Sequence, residues 1–276
     1  MNRILRLALL AVFSLALVSC DMLDQVLGTN ILSEIAAVKV DAEDVQDMEA
    51  DELLDLASSP SFYDNLDDPA TLAALEARLD ELLASLPADS AAYQEVAILA
   101  ANVQLVTTGA DVVIDNVVDL VQGLATGAVP VPDPGDPNTI VEVVQAIFPA
   151  TLLEDPVALA AAIQALVDAA AYYEALGASL TGDPPTYATG DINPGAVAQN
   201  ALVCALIAGI TPPAAYTSVG DYLADILTGT TTEPPASFTI PDTDSGSPLV
   251  AIFAAAGLDI TALIGDPNAP AEEGGA

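Results

Sequence analysis

The chain has 276 residues, of which 40 are acidic and 4 are basic, contains no histidine, and carries a formal charge of −36 at pH 7. This charge excludes nucleic acid as a partner, because phosphate backbones are bound by clustered Lys and Arg side chains. Hydrophobic residues make up 53% of the chain, so a sizeable core can form despite the charge.

The first residues of the chain have the pattern of a secretory signal. Arg3 and Arg6 form a short basic region, and an uncharged apolar run follows at residues 7–18. Such a run is too short to span a bilayer comfortably as a helix, whereas its length and flanks are those of a signal peptide. We therefore expect residues 1–19 to be a signal peptide that is removed.

The end of this segment, Leu17-Val18-Ser19-Cys20, resembles the lipobox of bacterial lipoproteins, in which a small residue precedes an invariant cysteine. The resemblance covers the signal segment alone. It implies that Cys20 is lipidated, that the chain is cleaved before it, and that the lipid anchors the protein to a membrane of the cell envelope. The domain then lies on the periplasmic or cell-surface side. Its lipid anchor lies in either the inner or the outer membrane. The plain alternative is a secreted protein with an unmodified cysteine.

The acidic residues all follow Cys20, where Lys39 and Arg78 are the only basic residues. Such a composition is typical of proteins from saline environments, and we favour this interpretation over a diffuse store for divalent cations. Once Cys20 carries lipid, Cys204 is the only cysteine left, so no disulfide can form within the chain. Packing alone must then hold the domain together.

Beyond the signal segment we expect one all-α domain. A lipidated tether is predicted at residues 20–29, the helical domain at 30–264, and a disordered tail at 265–276. Apolar residues recur at helical spacing through most of the domain, and Pro-rich or Gly-rich loops interrupt them. The pattern favours a helical bundle or an irregular array of helical hairpins with long loops. A helical repeat architecture stays open as the alternative.

Two neighbouring helices form the clearest part of the pattern. Asp68 and Pro69 supply an N-cap and a first-turn proline, and a stripe of leucines follows on one face. A second helix is predicted at 90–106 after a very short connection, which indicates a helical hairpin. The leucines of the stripe are Leu72, Leu75, Leu79, Leu82, Leu83 and Leu86.

The next segment, at 111–124, is rich in β-branched residues, which favour strands. Its polar residues nevertheless recur every three or four positions, so that they share one stripe of a helix. We therefore predict a helix. The polar residues of this stripe are Asp111, Asp115, Asp119 and Gln122.

A loop is predicted at 128–138, where four prolines interrupt any helical period, and it is the best candidate for a boundary within the domain. A short helix should follow at 139–148. Asp155 and Pro156 begin another, which runs to about residue 178 and is apolar on nearly all sides, as core helices are.

Shorter helices are predicted toward the C-terminus. A loop rich in Gly and Pro leads to a buried helix at 196–210, whose apolar run is too short for a membrane span. A short helix follows at 221–227. A long polar connection is expected at 228–248, and one or two short helices at 249–264.

No catalytic motif is found in the sequence. The absence of histidine excludes histidine-dependent catalysis and removes the usual zinc ligand. Neither a GxSxG nucleophile elbow nor a GxxxxGK phosphate loop occurs. We therefore expect a protein that is not an enzyme and that needs no cofactor.

Two loops carry clustered oxygen ligands of the kind that calcium prefers. Neither loop matches the EF-hand pattern, and turn-forming Asp and Asn explain both equally well. A structural turn is thus the preferred interpretation of each loop, and a calcium site the alternative. The residues are Asp133, Asp136 and Asn138 in the first loop, and Asp242 and Asp244 in the second.

We expect the cysteine side chain to be buried in the core and the tyrosine side chains to pack over it. Cys204 lies in an apolar run and has no basic neighbour in sequence that would lower the pKa of its thiol. Tyrosines more often cover a core with the hydroxyl toward water than bind a ligand. The tyrosines that could line a groove are Tyr172, Tyr173, Tyr216 and Tyr222.

Two functional hypotheses follow. In the first, a membrane-anchored helical domain without catalytic activity binds another envelope protein or serves as a scaffold. In the second, a carrier or transport accessory encloses a small hydrophobic ligand between its helices. An apolar groove rimmed by acidic residues would support the first hypothesis. A closed cavity with a few convergent polar groups would support the second.

Overall fold

The computed structural model describes most of the predicted helical domain. Within the described residues the fold is all-α, as the sequence predicts, and strands are limited to segments of two residues. The described residues are 41–59, 62–63, 66–125, 145–190, 192–244 and 246–260.

The helices form an irregular array around one long central helix. They are α1 (Ala42–Asp47), α2 (Ala50–Ala57), α3 (Pro69–Ser85), α4 (Ala91–Thr108), α5 (Ala110–Ala125), α6 (Ala150–Leu153), α7 (Pro156–Ser179), α8 (Pro194–Ala208), α9 (Val219–Leu227) and α10 (Pro248–Ala255). The strands are β1 (Thr181–Gly182), β2 (Pro185–Thr186), β3 (Ile210–Thr211) and β4 (Ser237–Phe238).

Side chains that precede several of the helices cap their first turns. The carboxylate of Asp68 accepts a hydrogen bond of 3.0 Å from the amide of Thr71 at the start of α3. At the start of α7, Asp155 accepts bonds of 3.0 and 3.2 Å from the amides of Val157 and Ala158. A cap of this kind stabilises a helix by about 1 kcal/mol. Both predicted Asp-Pro helix starts are therefore confirmed.

The predicted hairpin of α3 and α4 is also confirmed, because the two helices follow each other closely and pack together. Helix α3 buries Leu75, Leu79 and Leu82 of the leucine stripe. Helix α4 begins after Ser90, whose hydroxyl oxygen accepts a bond of 3.2 Å from the amide of Tyr93.

Gly109 turns the chain between α4 and α5, which meet at an angle of 93°. Its φ of 72° is the left-handed conformation that glycine adopts without steric cost. Helix α5 then buries Val113, Ile114 and Val117, while Asp115 on the opposite face is exposed. The prediction of a helix rather than a strand is thus confirmed.

Helix α7 is the centre of the fold. Helices α4, α8, α9 and α10 all pack against it, and Leu159, Leu166 and Leu176 are among its buried residues. Within the described part of the chain, α7 is the one single helix that is long and apolar enough to cross a membrane. The bent pair α4 and α5 meets the same criterion only if the two helices are counted as one span. Helix α7 packs on four other helices, as a core helix does and as the sequence predicts.

The buried apolar residues form two large clusters. The first cluster lies between α4, α5, α7, α8 and α10, and it contains Tyr173 and Phe253. The second lies between α1, α2, α3 and α4, and it contains Leu53 and Phe62. Helix α4 contributes residues to both clusters, so one helix joins the two parts of the core.

Two short antiparallel strand pairs differ from the sequence prediction. The pair β1 and β2 forms a hairpin within the loop rich in Gly and Pro, which contains a cis bond between Asp183 and Pro184. Strand β4 lies within the connection predicted to be a loop at 228–248, and it pairs with β3. Strands of two residues are too short to show the alternating pattern by which a strand is recognised.

The other predicted helices are present with shifted ends. The helix expected at 196–210 is α8, the one at 221–227 is α9, and α10 begins the segment expected at 249–264. Of the helix expected at 139–148, the described part is helical at 145–147. The predicted loop and boundary at 128–138 lies outside the described residues, and helices before and after it, α4 and α7, pack on each other.

Candidate binding clefts

The loop that contains Asp242 and Asp244 is a turn that leads into α10. The amide of Asp244 donates a bond of 2.9 Å to Oδ1 of Asp242, and Oγ of Ser247 donates one of 2.8 Å to the Asp242 carbonyl. Across the described residues no group of three or more His, Cys, Asp or Glu side chains is placed to hold a metal ion. The other sequence candidates lie outside the described residues: Cys20, Asp133, Asp136 and Asn138.

Cys204 is fully buried in the first cluster, as predicted. Burial raises the pKa of its thiol to about 12, so the thiol is protonated and unreactive at neutral pH. The hydroxyls of Tyr216 and Tyr222 donate bonds of 2.9 Å, the first to Oδ2 of Asp225 and the second to the carbonyl of Glu233. These two rings pack edge to face with centroids 5.3 Å apart.

An open groove with a volume of about 370 Å³ runs between α7, α8 and α10. We call it the alanine groove, because alanines of α7 and α8 form its floor. Side chains this small leave space above the helix surface that larger apolar residues would fill. The floor consists of Ala170, Ala201 and Ala205, the exposed Ala208 lies at its edge, and the walls consist of Ile240, Pro241, Pro248, Leu249 and Ile252.

Two glycines hold the walls of the alanine groove close to its floor. A Cβ atom on Gly177 of α7 would overlap the carbonyl group of Pro248 at the start of α10. A Cβ on Gly209, just after α8, would overlap the carbonyl oxygen of Thr239, whose amide donates a bond of 2.8 Å to the Gly209 carbonyl. Glycine permits such backbone approaches, so these positions set the width of the groove.

The rim of the alanine groove is acidic. Glu174 and Asp242 line it and are exposed, and the wall residue Ile240 is 46% exposed. Arg78, the only basic residue in the described part of the chain, is held elsewhere by bonds of 2.8 Å from its guanidinium to the Met48 carbonyl and to Glu81. The groove therefore presents an apolar surface within a negative rim.

A second open cleft, of about 450 Å³, lies between α2, α4 and α8, where the two core clusters meet. We call it the tyrosine cleft. Its lining mixes hydrogen-bonding and aliphatic side chains. The hydrogen-bonding side chains include Tyr63, Glu95, Asn102, Tyr173, Asn193 and Asn200, and the aliphatic ones include Leu54, Ile98, Leu99, Ile192 and Val197.

Two phenols, Tyr63 and Tyr173, line this cleft together with the carboxamides of Asn102 and Asn200. Burial raises the pKa of both phenols. Both hydroxyls therefore stay protonated at neutral pH.

Tyr173 lines the tyrosine cleft and the alanine groove alike, and it is only 3% exposed. Its ring belongs to the wall that separates the two sites. Sequence patterns place this residue in the core, where it lies, but do not indicate that it faces two clefts.

A third cleft, of about 570 Å³, lies between α7 and α9, and Val157 at its edge is 79% exposed.

Among the described residues, the carboxyl groups with a raised pKa are those of Asp111 and Asp115. Burial is the main cause for both, and the negative charges of Asp115 and Asp119 respectively add to it. Both groups lie on α5 and line none of these three clefts.

The asparagines of the tyrosine cleft carry a signal that sequence analysis could have used. Asn102 lies between Ala101 and Val103 in the middle of α4, and Asn200 precedes an apolar run in the middle of α8. Asparagine is unfavourable in a helix interior. Both asparagines line the tyrosine cleft.

The described residues form an all-α fold with open clefts between its helices. We compared the chain with protein-family models, curated proteins and solved structures, and none of the three comparisons gave a match.

Proposed function

We propose that the protein is a bacterial lipoprotein whose helical domain, anchored through lipid on Cys20, binds a partner protein of the cell envelope in the alanine groove. The observation that carries this proposal is the apolar floor of the groove within its acidic rim. Apolar side chains of a partner can pack into such a groove while its polar side chains contact the rim. The domain acts without catalysis and without a cofactor.

Charge complementarity defines the chemistry of the partner. The rim residues Glu174 and Asp242 are acidic, and the whole chain carries a formal charge of −36. Such a surface attracts basic segments and repels acidic ones. The partner therefore presents a short aliphatic segment flanked by Lys or Arg, with the aliphatic side chains on the alanine floor and the basic ones at the rim.

A small hydrophobic ligand in the same groove is the alternative, which corresponds to a carrier or transport accessory. The volume of about 370 Å³ lies within the range of small-ligand sites. The open form of the groove favours a protein segment, because a carrier encloses most of the surface of an apolar ligand.

Site-specific photocrosslinking of the full-length protein in its native membranes tests the proposal. A photoreactive amino acid replaces Ile240 on the groove wall, and a matched variant carries it at Val112 on α5. The two side chains are similarly exposed, at 46% and 42%, but Val112 lies outside the groove. We expect the Ile240 variant to give a crosslink to an aliphatic segment of a protein flanked by Lys or Arg, and the Val112 variant not to give it.

The outcomes of this experiment separate the hypotheses. High salt applied before irradiation should reduce the crosslink, because it screens the acidic rim. A small apolar molecule attached at position 240 in place of a protein would favour the carrier. Equal crosslinking at both positions, or a partner segment that is acidic, would contradict the proposal.

The lipid anchor requires a test of its own. Cells that produce the full-length protein are labelled with palmitate, and the label and the membrane-bound fraction are compared between the native protein and Cys20→Ser. We expect the substitution to abolish the label and to leave the apolar signal segment uncleaved. A labelled Cys20→Ser variant would contradict lipidation at this residue, and it would leave the crosslinking result unaffected.

A further inference from the structure

The chain between α9 and α10 is rich in hydroxyl groups. Residues 228–243 contain six threonines and one serine together with three prolines, and we call this segment the threonine-rich connection. A segment that combines Ser and Thr with Pro is typical of chains that carry O-linked glycans. The composition therefore indicates that an acceptor hydroxyl for a sugar can lie in this connection.

Hydrogen bonds hold the connection against α9 on both sides of Thr232. The amide of Thr231 donates a bond of 3.1 Å to the carbonyl of Asp225. The carbonyl of Glu233 accepts a bond of 2.9 Å from the hydroxyl of Tyr222. Thr232 lies between these two bonds and is exposed, so the fold presents its side chain at the surface.

The hydroxyl and the backbone of Thr232 are both free to contact another molecule. Among the exposed Thr and Ser residues of the connection, which the structure describes throughout this part, Thr232 alone has neither group in a hydrogen bond. The other four are bonded through the backbone: Thr228, Thr230, Ser237 and Thr239.

Two prolines keep the chain after Thr232 extended. Pro234 and Pro235 fix φ at about −65° and carry no amide hydrogen, and a residue that precedes a proline is disfavoured in the helical conformation. Residues 231–235 accordingly form neither helix nor strand. An extended segment with free backbone groups can bind in the groove of a modifying enzyme without prior unfolding.

Thr232 also lies outside the proposed partner site. Thr239, in the same connection, lines the alanine groove, whereas Thr232 lines none of the three clefts. A sugar on Thr239 would occupy the groove in which the partner is proposed to bind. A sugar on Thr232 replaces only water, so modification there is compatible with partner binding.

From these observations we propose that Thr232 is an acceptor site for O-linked glycosylation. The inference rests on the extracytoplasmic location that the proposed function includes. The donor is a sugar whose anomeric carbon carries a phosphate leaving group. Oγ1 of Thr232 attacks this carbon, the bond from the carbon to the phosphate oxygen breaks, and the phosphate leaves with the bonding electrons. The hydroxyl proton passes to a base of the transferase.

Mass spectrometry of the full-length protein purified from its native membranes tests this proposal. Cleavage after Asp and Glu releases residues 226–233, and electron-transfer fragmentation locates a sugar within them. We expect this peptide to carry the additional mass of a sugar on Thr232. Thr232→Val should abolish the addition, and Thr232→Ser should retain it. Thr217→Val, at an exposed threonine outside the connection, is the matched control and should leave the addition unchanged.

The proposal is overturned by an unmodified peptide 226–233, by a sugar on another residue of that peptide, or by a Thr232→Val variant that retains the sugar. The mass of the native peptide decides even if a variant fails to fold, which circular dichroism shows. The N-terminal peptide of the same digest reports the lipid on Cys20. Lipid on Cys20 without a sugar on Thr232 overturns glycosylation alone, whereas a missing lipid contradicts the proposed anchor.

Discussion

The hydroxyl of Tyr172 on α7 donates a hydrogen bond of 3.0 Å to Oδ1 of Asp80 on α3, across 92 positions of sequence. Tyr172 also packs against both large core clusters. Burial raises the pKa of this phenol, and the hydrogen bond and the charge of Asp80 raise it further, so the hydroxyl keeps the proton that it donates. The bond therefore connects the hairpin of α3 and α4 to the central helix α7.

Tyr172→Phe should lower the free energy of unfolding by about 1 kcal/mol, because it removes one side-chain hydrogen bond and leaves the ring in place. Urea unfolding of this variant, of Asp80→Asn and of the double variant measures the coupling between the two side chains. We expect a coupling energy of about 0.5–1.5 kcal/mol. Strictly additive effects would show that the two groups do not interact.

Alkaline pH should destabilise the protein through Cys204. Burial raises the pKa of this thiol from 9.0 to about 12. Above pH 9 the unfolded chain releases a proton that the folded chain retains, so the free energy of unfolding falls as pH rises toward 12. The slope for one such proton is about 1.4 kcal/mol per pH unit. Cys204→Ala should reduce the slope between pH 9 and 10, and an unchanged slope there would contradict the assignment.

Asp115→Asn should stabilise the protein at pH 7. A carboxyl group with a raised pKa opposes folding while it is ionised, and the penalty disappears as pH falls through the raised pKa. Like charges four residues apart on a helix destabilise by about 0.2–0.5 kcal/mol per pair, and Asp115 has such neighbours at Asp111 and Asp119. We therefore expect a gain of about 0.4–1 kcal/mol in low salt, measured by chemical denaturation.

The gain from Asp115→Asn should shrink in high salt, because exposed charges are screened there. Asp89→Asn, in the exposed turn between α3 and α4, serves as the control. If both substitutions stabilise equally, the gain reflects net charge alone and the stripe on α5 has no particular role.

Gly177→Ala should lower the free energy of unfolding by about 1–3 kcal/mol, because the new methyl group meets the backbone of Pro248 and pushes α10 away from α7. Differential scanning calorimetry measures the loss. Gly190→Ala is the matched control, since a Cβ at Gly190 meets no atom within 4 Å. A stable Gly177→Ala variant would show that the wall of the alanine groove moves freely.

The sequence predicts helix starts and buried faces well, because both depend on neighbours in the chain. Asp68 and Asp155 reach amides two or three residues away, so their caps can be recognised without tertiary structure. The acidic stripe on α5 likewise outweighs the β-branched residues around it. The sequence does not predict the pair β3 and β4, because its register depends on the pairing of Ile210 with Phe238, which are far apart in the chain.

The clefts escape prediction for the same reason. Their lining residues come together only when α4, α7 and α8 pack, and no local pattern states which faces will leave space between them. Asn102 and Asn200 are unusual residues for the middle of a helix, but Tyr63 and Tyr173, which line the same cleft, lie far from them in sequence. Predicting the clefts would require the packing itself.

Trypsin cleavage after Arg78 can be used to measure how often helix α3 unfolds locally. It is the only residue in the described part of the chain after which trypsin can cut, and it lies within α3 with its guanidinium bonded to the Met48 carbonyl and to Glu81. Proteases need an extended backbone, so cleavage at Arg78 requires α3 to unfold locally. When opening and closing are fast relative to cleavage, the rate of this single cut measures the free energy of that opening.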